Sequence, residues 1–298
     1  MSCHVQKIKV SVFTPTYNRK DTIKRLYKSL CQQTVKDFEW IIVDDGSTDG
    51  TELLVQNIMQ KKNGFDCIYK KQNNSGKHVA INRGVAIARG EYFFIVDSDD
   101  YVSSNAIERI IDIFGTINMQ KFAGICGNRC DSYGEIIGTT FDGNATVDCR
   151  MSDREKYHIR GDKAEVFYTD ILKKFPFPAF KGENFLSEGV VWNRISAAGY
   201  LMRFFNEKIY ICQYLPHGLS DTLPLIRKKN INGTLLFFRE LYMMETSLWA
   251  KFKTGSFYVR YALLNKQNIF DIKNDLQEGW GFIFILYICS YIRIIQGW

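Results

Sequence analysis

The residues with the most chemistry per position are Asp97-Ser98-Asp99-Asp100, three carboxylates in a run of four. They follow directly on the apolar stretch Glu91-Tyr-Phe-Phe-Ile-Val96, so a buried strand delivers acids to the edge of a sheet. Side chains alternate along a strand, which sends Asp97 and Asp99 to the same side. Two carboxylates on one side repel unless a cation sits between them. A hard divalent ion with oxygen ligands is the simplest such cation, and it also binds phosphate oxygens. The chemistry this spacing points to is work on a diphosphate substrate.

Three further clusters precede it in the chain: Thr14-Pro15-Thr16-Tyr17-Asn18, Val43-Asp44-Asp45-Gly-Ser-Thr-Asp-Gly50, and Asn73-Asn74-Ser-Gly76-Lys77-His78. Each has a plain structural reading by itself. Asp-Gly-Ser-Thr is a common turn in which Ser47 or Thr48 caps the next helix. Asn18 reads as another cap, and Lys77 as a surface lysine.

Positioning these clusters takes a sheet. Residues 8–14 alternate and read as a first strand, ended by Pro15. Ile23, Leu26, Tyr27 and Leu30 have amphipathic-helix spacing. Glu39–Val43 is a second strand, Thr51 onward a helix, Cys67–Tyr69 a short strand and Val79–Arg89 a helix. Tyr92–Val96 is a strand and Ala106–Phe114 a helix. Strand–helix alternation over about 115 residues predicts an α/β fold with a mostly parallel, doubly wound sheet and helices on both faces. Ligands of such sheets bind off the carboxyl ends of the strands. Asp44/Asp45 and Asp97/Asp99 both fall at such ends.

The second half is less regular. Phe122–Asn128 reads as a strand, 131–160 as loops or a hairpin, 163–174 as a helix and 175–180 as extended. Ser187–Gly199 reads as a helix, Arg203–Tyr210 as a strand, and a helical, aromatic-rich region starts at Ile231. In the tail, from Trp280 to Ile295, the uninterrupted apolar core is about a dozen residues, short of the roughly 20 that span a bilayer. Trp280, Arg293 and Trp298 look like interfacial anchors. The tail is therefore expected to lie on or partly in a membrane face, with packing against the domain and a true span as the other readings.

The chain has 298 residues and a formal net charge of +7. That length buries a full core. The basic balance favours anionic partners, and the longest basic run is Arg227-Lys-Lys229 with no nucleic-acid module, so nucleic acid is not expected. The 14% aromatic content suits a carbohydrate or membrane-surface protein and an aromatic core equally. The eight cysteines are scattered without a CxxC pair; Cys126 and Cys130 lack the second ligand pair of a zinc site. They read as reduced thiols of a cytosolic protein, and the N-terminus lacks the apolar region of a signal peptide.

Taken together, in order and spacing, the four clusters resemble the nucleotide-sugar-binding half of family 2 glycosyltransferases, densely over residues 7–125 and more weakly to about 250. The resemblance implies a GT-A fold: a Rossmann-like central sheet flanked by helices, here with a C-terminal helical, apolar extension. It implies an inverting, metal-dependent enzyme that moves a sugar from a nucleotide-diphospho-sugar, a UDP-sugar by family tendency. The acceptor implied is a hydroxyl of a glycan or lipid-linked saccharide in cell-surface polysaccharide biosynthesis, with the protein peripheral on the cytoplasmic face of the cell membrane.

By the same resemblance Thr14, Pro15 and Tyr17 border the nucleobase, and Asp44 or Asp45 accepts a hydrogen bond from it. Lys77, with Asn74 and Gly76, lies near the pyrophosphate. Asp97 and Asp99, with Ser98 between them, form the DxD motif and hold Mg²⁺ or Mn²⁺; Asp100 caps the following turn. The family's catalytic Glu-Asp pair is broken here, since Glu188 is followed by Gly189. Glu188 is assigned as the base that takes the acceptor proton, with Asp170 and Asp162 as alternatives. Trp192 fits a sugar-stacking role or a buried helix face. His217, in Tyr214-Leu-Pro-His-Gly-Leu-Ser-Asp221, is a further candidate metal or phosphate contact.

The expected organisation is a catalytic domain over 1–225, divided at 125/126 into nucleotide-sugar and acceptor halves, and a helical region over 226–298. A binding protein on the same fold without turnover is the alternative, supported by the broken pair. A nucleotidyltransferase is disfavoured, because Thr-Pro-Thr-Tyr-Asn lacks a Gly-rich, basic phosphate loop after strand one.

Overall fold

Strand β1 (Val10–Thr16) is buried along its whole length, as a central strand covered on both faces must be. It pairs in parallel with β2 (Phe38–Asp44) and β4 (Tyr92–Ile95), and β2 pairs in parallel with β3 (Asp66–Lys71). Helices α1 (Ile23–Cys31), α2 (Thr51–Met59) and α3 (Lys77–Ile87) connect these strands, and α4 (Ala106–Phe114) follows β5 (Tyr101–Val102). The computed structural model describes residues 8–141, 145–213 and 219–295, without the side chains of 219–221.

The alternation expected for the first 115 residues is present, with one correction. Pro15 lies inside β1 rather than ending it, opposite Val43. Val96 N–H donates to the Phe13 carbonyl, so Phe13, and Pro15 by the same alternation, turn their backbone polar groups toward β4. The β1–β4 pairing stops at Phe13. The amide hydrogen that Pro15 lacks therefore has no ladder partner to lose.

Beyond α4 the sheet becomes mixed. It contains β6 (Phe122–Cys130), β7 (Thr146–Cys149), β8 (Lys163–Tyr168) and β9 (Leu201–Ile211), in the order β3-β2-β1-β4-β8-β6-β9-β5, with β7 on β9. Residues 163–174 are not one helix. Lys163–Tyr168 is a strand wedged antiparallel between β4 and β6, and only Thr169–Lys174 is helical, as α5. All of β8 but Glu165 is buried, Lys163 included, and the strand runs directly into α5, so no turn residue separates strand from helix over 163–174. The region read as loops holds β7 and a 3-10 helix at Met151–Tyr157.

The chain divides into two compact units, Met1–Phe177 with Arg194–Pro216, and Pro178–Asn193 with His217–Trp298. The first contains the whole sheet. Helix α6 (Gly189–Ala197) runs across the boundary. The second unit contains α7 (Leu219–Lys229), α8 (Ile231–Met244), α9 (Leu248–Leu264), α10 (Ile269–Leu276) and α11 (Trp280–Ile295). Its core is built on Phe238, Tyr242, Tyr258, Tyr261, Ile272, Ile283 and Leu286. The buried tyrosines keep their hydroxyls paired: Tyr242 donates to Glu278 at 2.7 Å and Tyr258 to Asp275 at 2.5 Å. Helix α11 packs one side through Ile283, Leu286 and Ser290 and exposes Phe284, Ile285, Ile288, Tyr291, Ile292 and Ile295. Sixteen residues give about 24 Å of helix. Among the described residues no single helix is long and apolar enough to cross a membrane.

Candidate functional site: an acidic edge held by cations

Parallel strands deliver their carboxyl ends to one edge, and the sequence clusters meet there. Thr16 of β1 lies beside Asp44 of β2, and Asp44 beside Lys71 of β3. Two paired carboxylates fold the loops of this edge. Asp44 accepts from the Ser47 amide and the Tyr69 hydroxyl, both at 2.7 Å. Asp45 accepts from the amides of Ser75 and Gly76 and from the Gln72 side chain, all at 2.8 Å. Both acids are buried. A carboxylate has room for about four such bonds, so neither is saturated, but their first task is to shape the rim.

Asn18 does the same for the loop after β1. It sits at φ +53°, a left-handed conformation asparagine tolerates. Its amide donates to Ser47 Oγ at 2.8 Å and its Oδ1 accepts from the Thr48 amide at 2.9 Å. Neither Asn18 nor Ser47/Thr48 is a helix cap as the sequence suggested. Gly50, at φ +87°, precedes α2, and Asp49 accepts from the Thr51 amide and hydroxyl. Gly76 opens α3 at φ +93°, where a side chain would strain the backbone. Helix α3 approaches β1 so closely that a Cβ on Gly84 would lie 2.3 Å from the Phe13 ring.

The fourth cluster completes the edge. Lys77 Nζ lies 2.6 Å from Asp97 Oδ1, and Arg19 Nη2 lies 3.4 Å from Asp99 Oδ2. Arg25 donates to the Asp99 carbonyl and stacks on Tyr101. Both carboxylates are partly exposed, at 26% and 28% of the side chain. Burial pushes the Asp97 carboxyl up, but Lys77, Arg129 and Arg19 outweigh it and hold it below the usual carboxylate range. Asp100 is not a turn cap. It faces β9, accepting from the Tyr210 hydroxyl at 2.8 Å and the Gln213 amide at 2.9 Å. Burial there raises its carboxyl above the usual range.

The other sequence candidates divide. Thr14 is buried, and its hydroxyl accepts from the Trp40 indole at 2.9 Å. Pro15 and Ser98 are buried, Asn74 is exposed, and Tyr17 is 49% exposed on the rim. Thr16, not singled out from sequence, has a buried hydroxyl with no partner among the described residues. Glu188 immediately precedes α6 in the second unit, and its carbonyl accepts from the amides of Val191 and Trp192. Trp192 is buried. Asp170 is exposed beside Lys173 and follows Tyr168, which pairs with the first residue of β4, at the edge opposite Asp97. Asp162 precedes β8 at the carboxyl edge. His217 and Trp298 lie outside the described residues. Sequence reading missed Arg19, Arg25, Arg129 and Tyr210. Arg19 adjoins the Tyr17-Asn18 cluster and was within reach; Arg129 and Tyr210 are strand residues that only the sheet register brings to Asp97.

The donor set suits a hard divalent ion. Among the described residues no group of three or more His, Cys, Asp or Glu side chains is placed to hold a metal alone. Asp97 and Asp99 supply two carboxylates at a site already compensated by cations. One or two carboxylates completed by phosphate oxygens and water is how Mg²⁺ is commonly held.

The sequence profile described as Glycosyl transferase family 2 matches residues 11–173. Among curated relatives, a GalNAc(5)-diNAcBac-PP-undecaprenol beta-1,3-glucosyltransferase of Campylobacter jejuni is 32% identical over 191 residues, covering 62% of this chain and 58% of its own. Across the curated relatives compared, the matched part is 20% to 58% of their own length. In structure, Staphylococcus aureus TarS 1–349 in complex with UDP-GlcNAc superposes with a TM-score of 0.63 at 16% identity, covering 97% of this chain and 92% of that one. The mannosyltransferase PcManGT of Pyrobaculum calidifontis, in complex with GDP-Man and Mn²⁺, gives 0.56 at 14% identity, covering 96% and 86%. These structures share the fold: a central sheet flanked by helices with helices at the C-terminus, the GT-A architecture expected from the sequence.

Proposed function

The chain belongs to glycosyl transferase family 2, and on that premise we propose that it is an inverting, metal-dependent glycosyltransferase. Its donor is a nucleotide-diphospho-sugar, a UDP-sugar in this reading. Its acceptor is a hydroxyl of a glycan or lipid-linked saccharide in cell-surface polysaccharide biosynthesis. The observation that carries the reading is the pair Asp97 and Asp99, set at one edge among Lys77, Arg19 and the loops tied by Asp44 and Asp45.

In this mechanism the rim recognises the nucleoside. Tyr17 offers its exposed ring to the base, and Asp44 or Asp45 accepts a hydrogen bond from it. The Thr16 hydroxyl, without a partner among the described residues, is a ready partner for the nucleoside. Lys77 and Arg19 leave their carboxylates for phosphate oxygens, where a charged donor makes a stronger hydrogen bond than a neutral one. Asp97 and Asp99 would hold Mg²⁺ or Mn²⁺, which supplies charge neutralisation for the departing diphosphate. Glu188 takes the proton of the acceptor hydroxyl as its oxygen bonds to the anomeric carbon and the bond to the diphosphate breaks. The exposed apolar side of α11 and the net charge of +7 support docking on the inner face of the cell membrane.

The test is nucleoside diphosphate release from a panel of UDP-, GDP- and dTDP-sugars with Mn²⁺, with Mg²⁺ and with EDTA. The reading expects release from one donor, lost with EDTA and with Asp99→Ala. Full activity in either condition would overturn the metal role. The Glu188-Gly189 sequence favours a second reading, a nucleotide-sugar-binding protein without turnover; wild-type turnover that Glu188→Gln abolishes would exclude it.

A further inference from the structure

We infer that Tyr210 and Arg129 are positioning residues for the acidic edge, holding the Asp97–Asp100 turn in place from strands β9 and β6. The inference rests on the reading of Asp97 and Asp99 as the binding acids.

The turn closes on itself through a single bond, Asp100 N–H to the Asp97 carbonyl at 3.1 Å. The Tyr210 hydroxyl bridges the same two residues. It accepts from the Asp97 amide at 3.0 Å and donates to Asp100 Oδ2 at 2.8 Å. The other Asp100 oxygen accepts from the Gln213 amide, so the end of β9 grips both ends of the turn. β5, which follows the turn directly, pairs with the same end of β9, Val102 with Tyr210 and Tyr101 with Ile211.

Tyr210 is itself held. It is fully buried, with its ring edge-on to Phe94 of β4. The Arg129 guanidinium lies 4.3 Å from the ring centroid on the neighbouring strand, a favourable cation–π contact. Arg129 is pinned by Nε donating to the Lys163 carbonyl at 2.7 Å and by Glu165 at 3.5 Å. The register of β6 on β9 shifts between Asn128 and Arg129, the kind of irregularity that re-aims a strand side chain. Packing alone would accept Phe at 210 and an apolar residue at 129. A buried hydroxyl, and a guanidinium left only 16% exposed, cost desolvation unless their hydrogen bonds are made, and both hydroxyl bonds go to the acidic turn. Arg129 also adds positive charge toward Asp97 beyond that of Lys77 and Arg19.

The experiment uses the full chain with Tyr210→Phe, Arg129→Lys and, as a comparison, Tyr258→Phe. Tyr258→Phe removes the hydroxyl bond of a similarly buried tyrosine in the second unit. Three readouts are taken: the Kd for UDP with Mn²⁺ by calorimetry, amide exchange over 97–102, and thermal unfolding. Losing a hydrogen bond to a charged group changes an equilibrium constant by up to about 100-fold. Tyr210→Phe is therefore expected to weaken Mn²⁺-dependent UDP binding by roughly 10- to 100-fold and to speed exchange over 97–102. Tyr258→Phe should lower the melting temperature without changing either. Arg129→Lys keeps the charge but loses the planar stack, and should fall between wild type and Tyr210→Phe; it carries the test if Tyr210→Phe does not fold. Wild-type Kd in both site variants overturns the inference. If wild type binds no UDP, the donor reading fails separately, and unchanged exchange in Tyr210→Phe then overturns the positioning role.

Discussion

Replacing Lys77 with Met tests whether the cations at the acidic edge are there for a substrate or for the fold. In the free protein Lys77 bonds Asp97 at 2.6 Å with side chains 39% and 26% exposed. A pair that open to solvent is worth about 0–1 kcal/mol. For a protein of this size 1 kcal/mol is a shift of about 2–4 °C or less. In the proposed donor-bound state the same ammonium would donate to a phosphate oxygen, and a hydrogen bond to a charged group contributes about 1.5–3 kcal/mol. At 1.4 kcal/mol per tenfold, Lys77→Met should weaken UDP-sugar binding by roughly 10- to 150-fold. The two quantities separate cleanly: calorimetry against UDP with Mn²⁺ reads the affinity, and a thermal melt reads the stability. A variant that melts far below wild type yet binds UDP within about threefold would show that Lys77 belongs to the fold, and the reasoning would fail.

Other outcomes follow from other parts of the chain. Glu39 is fully buried, accepting from Ser11, the Arg89 amide and Arg89 Nε at 2.6–2.7 Å. Arg89→Met removes its counter-ion but leaves two hydrogen bonds, so the loss should be about 2–3 kcal/mol, below the 3–5 of a fully uncompensated buried charge; urea unfolding measures it. Glu278 is held below its ordinary value of 4.5 by Lys251 and Tyr242, against the opposing effect of burial. Its stabilisation is complete above pH 4.5 and fades as pH falls through the depressed folded value. The gap between the melting curves of wild type and Glu278→Gln should therefore hold above pH 4.5 and close progressively as pH falls below it; a gap that stays constant as the pH is lowered well below 4.5 would contradict the assignment. Ile288→Glu, on the exposed side of α11, should abolish co-sedimentation with anionic vesicles without lowering UDP affinity. Unchanged sedimentation would remove α11 from the membrane reading.

How much was legible in the sequence follows from what each element needs. The parallel half was readable because each βα unit writes its own period and its own turn, and because loop chemistry such as Asp44-Asp45-Gly46 sits where the strands end. β8 was misread because it runs directly into α5, with no turn residue between Tyr168 and Thr169 to mark where strand gives way to helix. Asp100 looked like a turn residue because its partners, Tyr210 and Gln213, are 110 and 113 positions away. Local patterns name the residues that end a strand. They do not say which distant strand will lie alongside, and so the cations of the site divide: Arg19 was available from its neighbours, whereas Arg129 needed the register of β6 on β9.

The charge arrangement makes a last demand on the order of binding. Asp97 and Asp99 each already have a cation, Lys77 and Arg19. A divalent ion arriving alone must displace those cations and leave them without a counter-charge. A diphosphate arriving alone would draw the cations away and leave two like charges facing one another. Arriving together, metal and diphosphate exchange partners with the four side chains and no charge is stranded. Binding should therefore be coupled. By linkage the factor is the same in both directions: if saturating Mn²⁺ raises UDP affinity by some factor, saturating UDP must raise Mn²⁺ affinity by that factor. A coupling of 1–3 kcal/mol is typical of linked sites, or about 5- to 150-fold. Lys77→Met should shrink it, because one cation no longer needs rehousing when the metal binds alone. Calorimetric titrations of each ligand, with and without the other, give all four constants. Mn²⁺ binding of equal strength with and without UDP would mean that Asp97 and Asp99 hold their ion independently of the donor, and the exchange of partners would not be how this edge works.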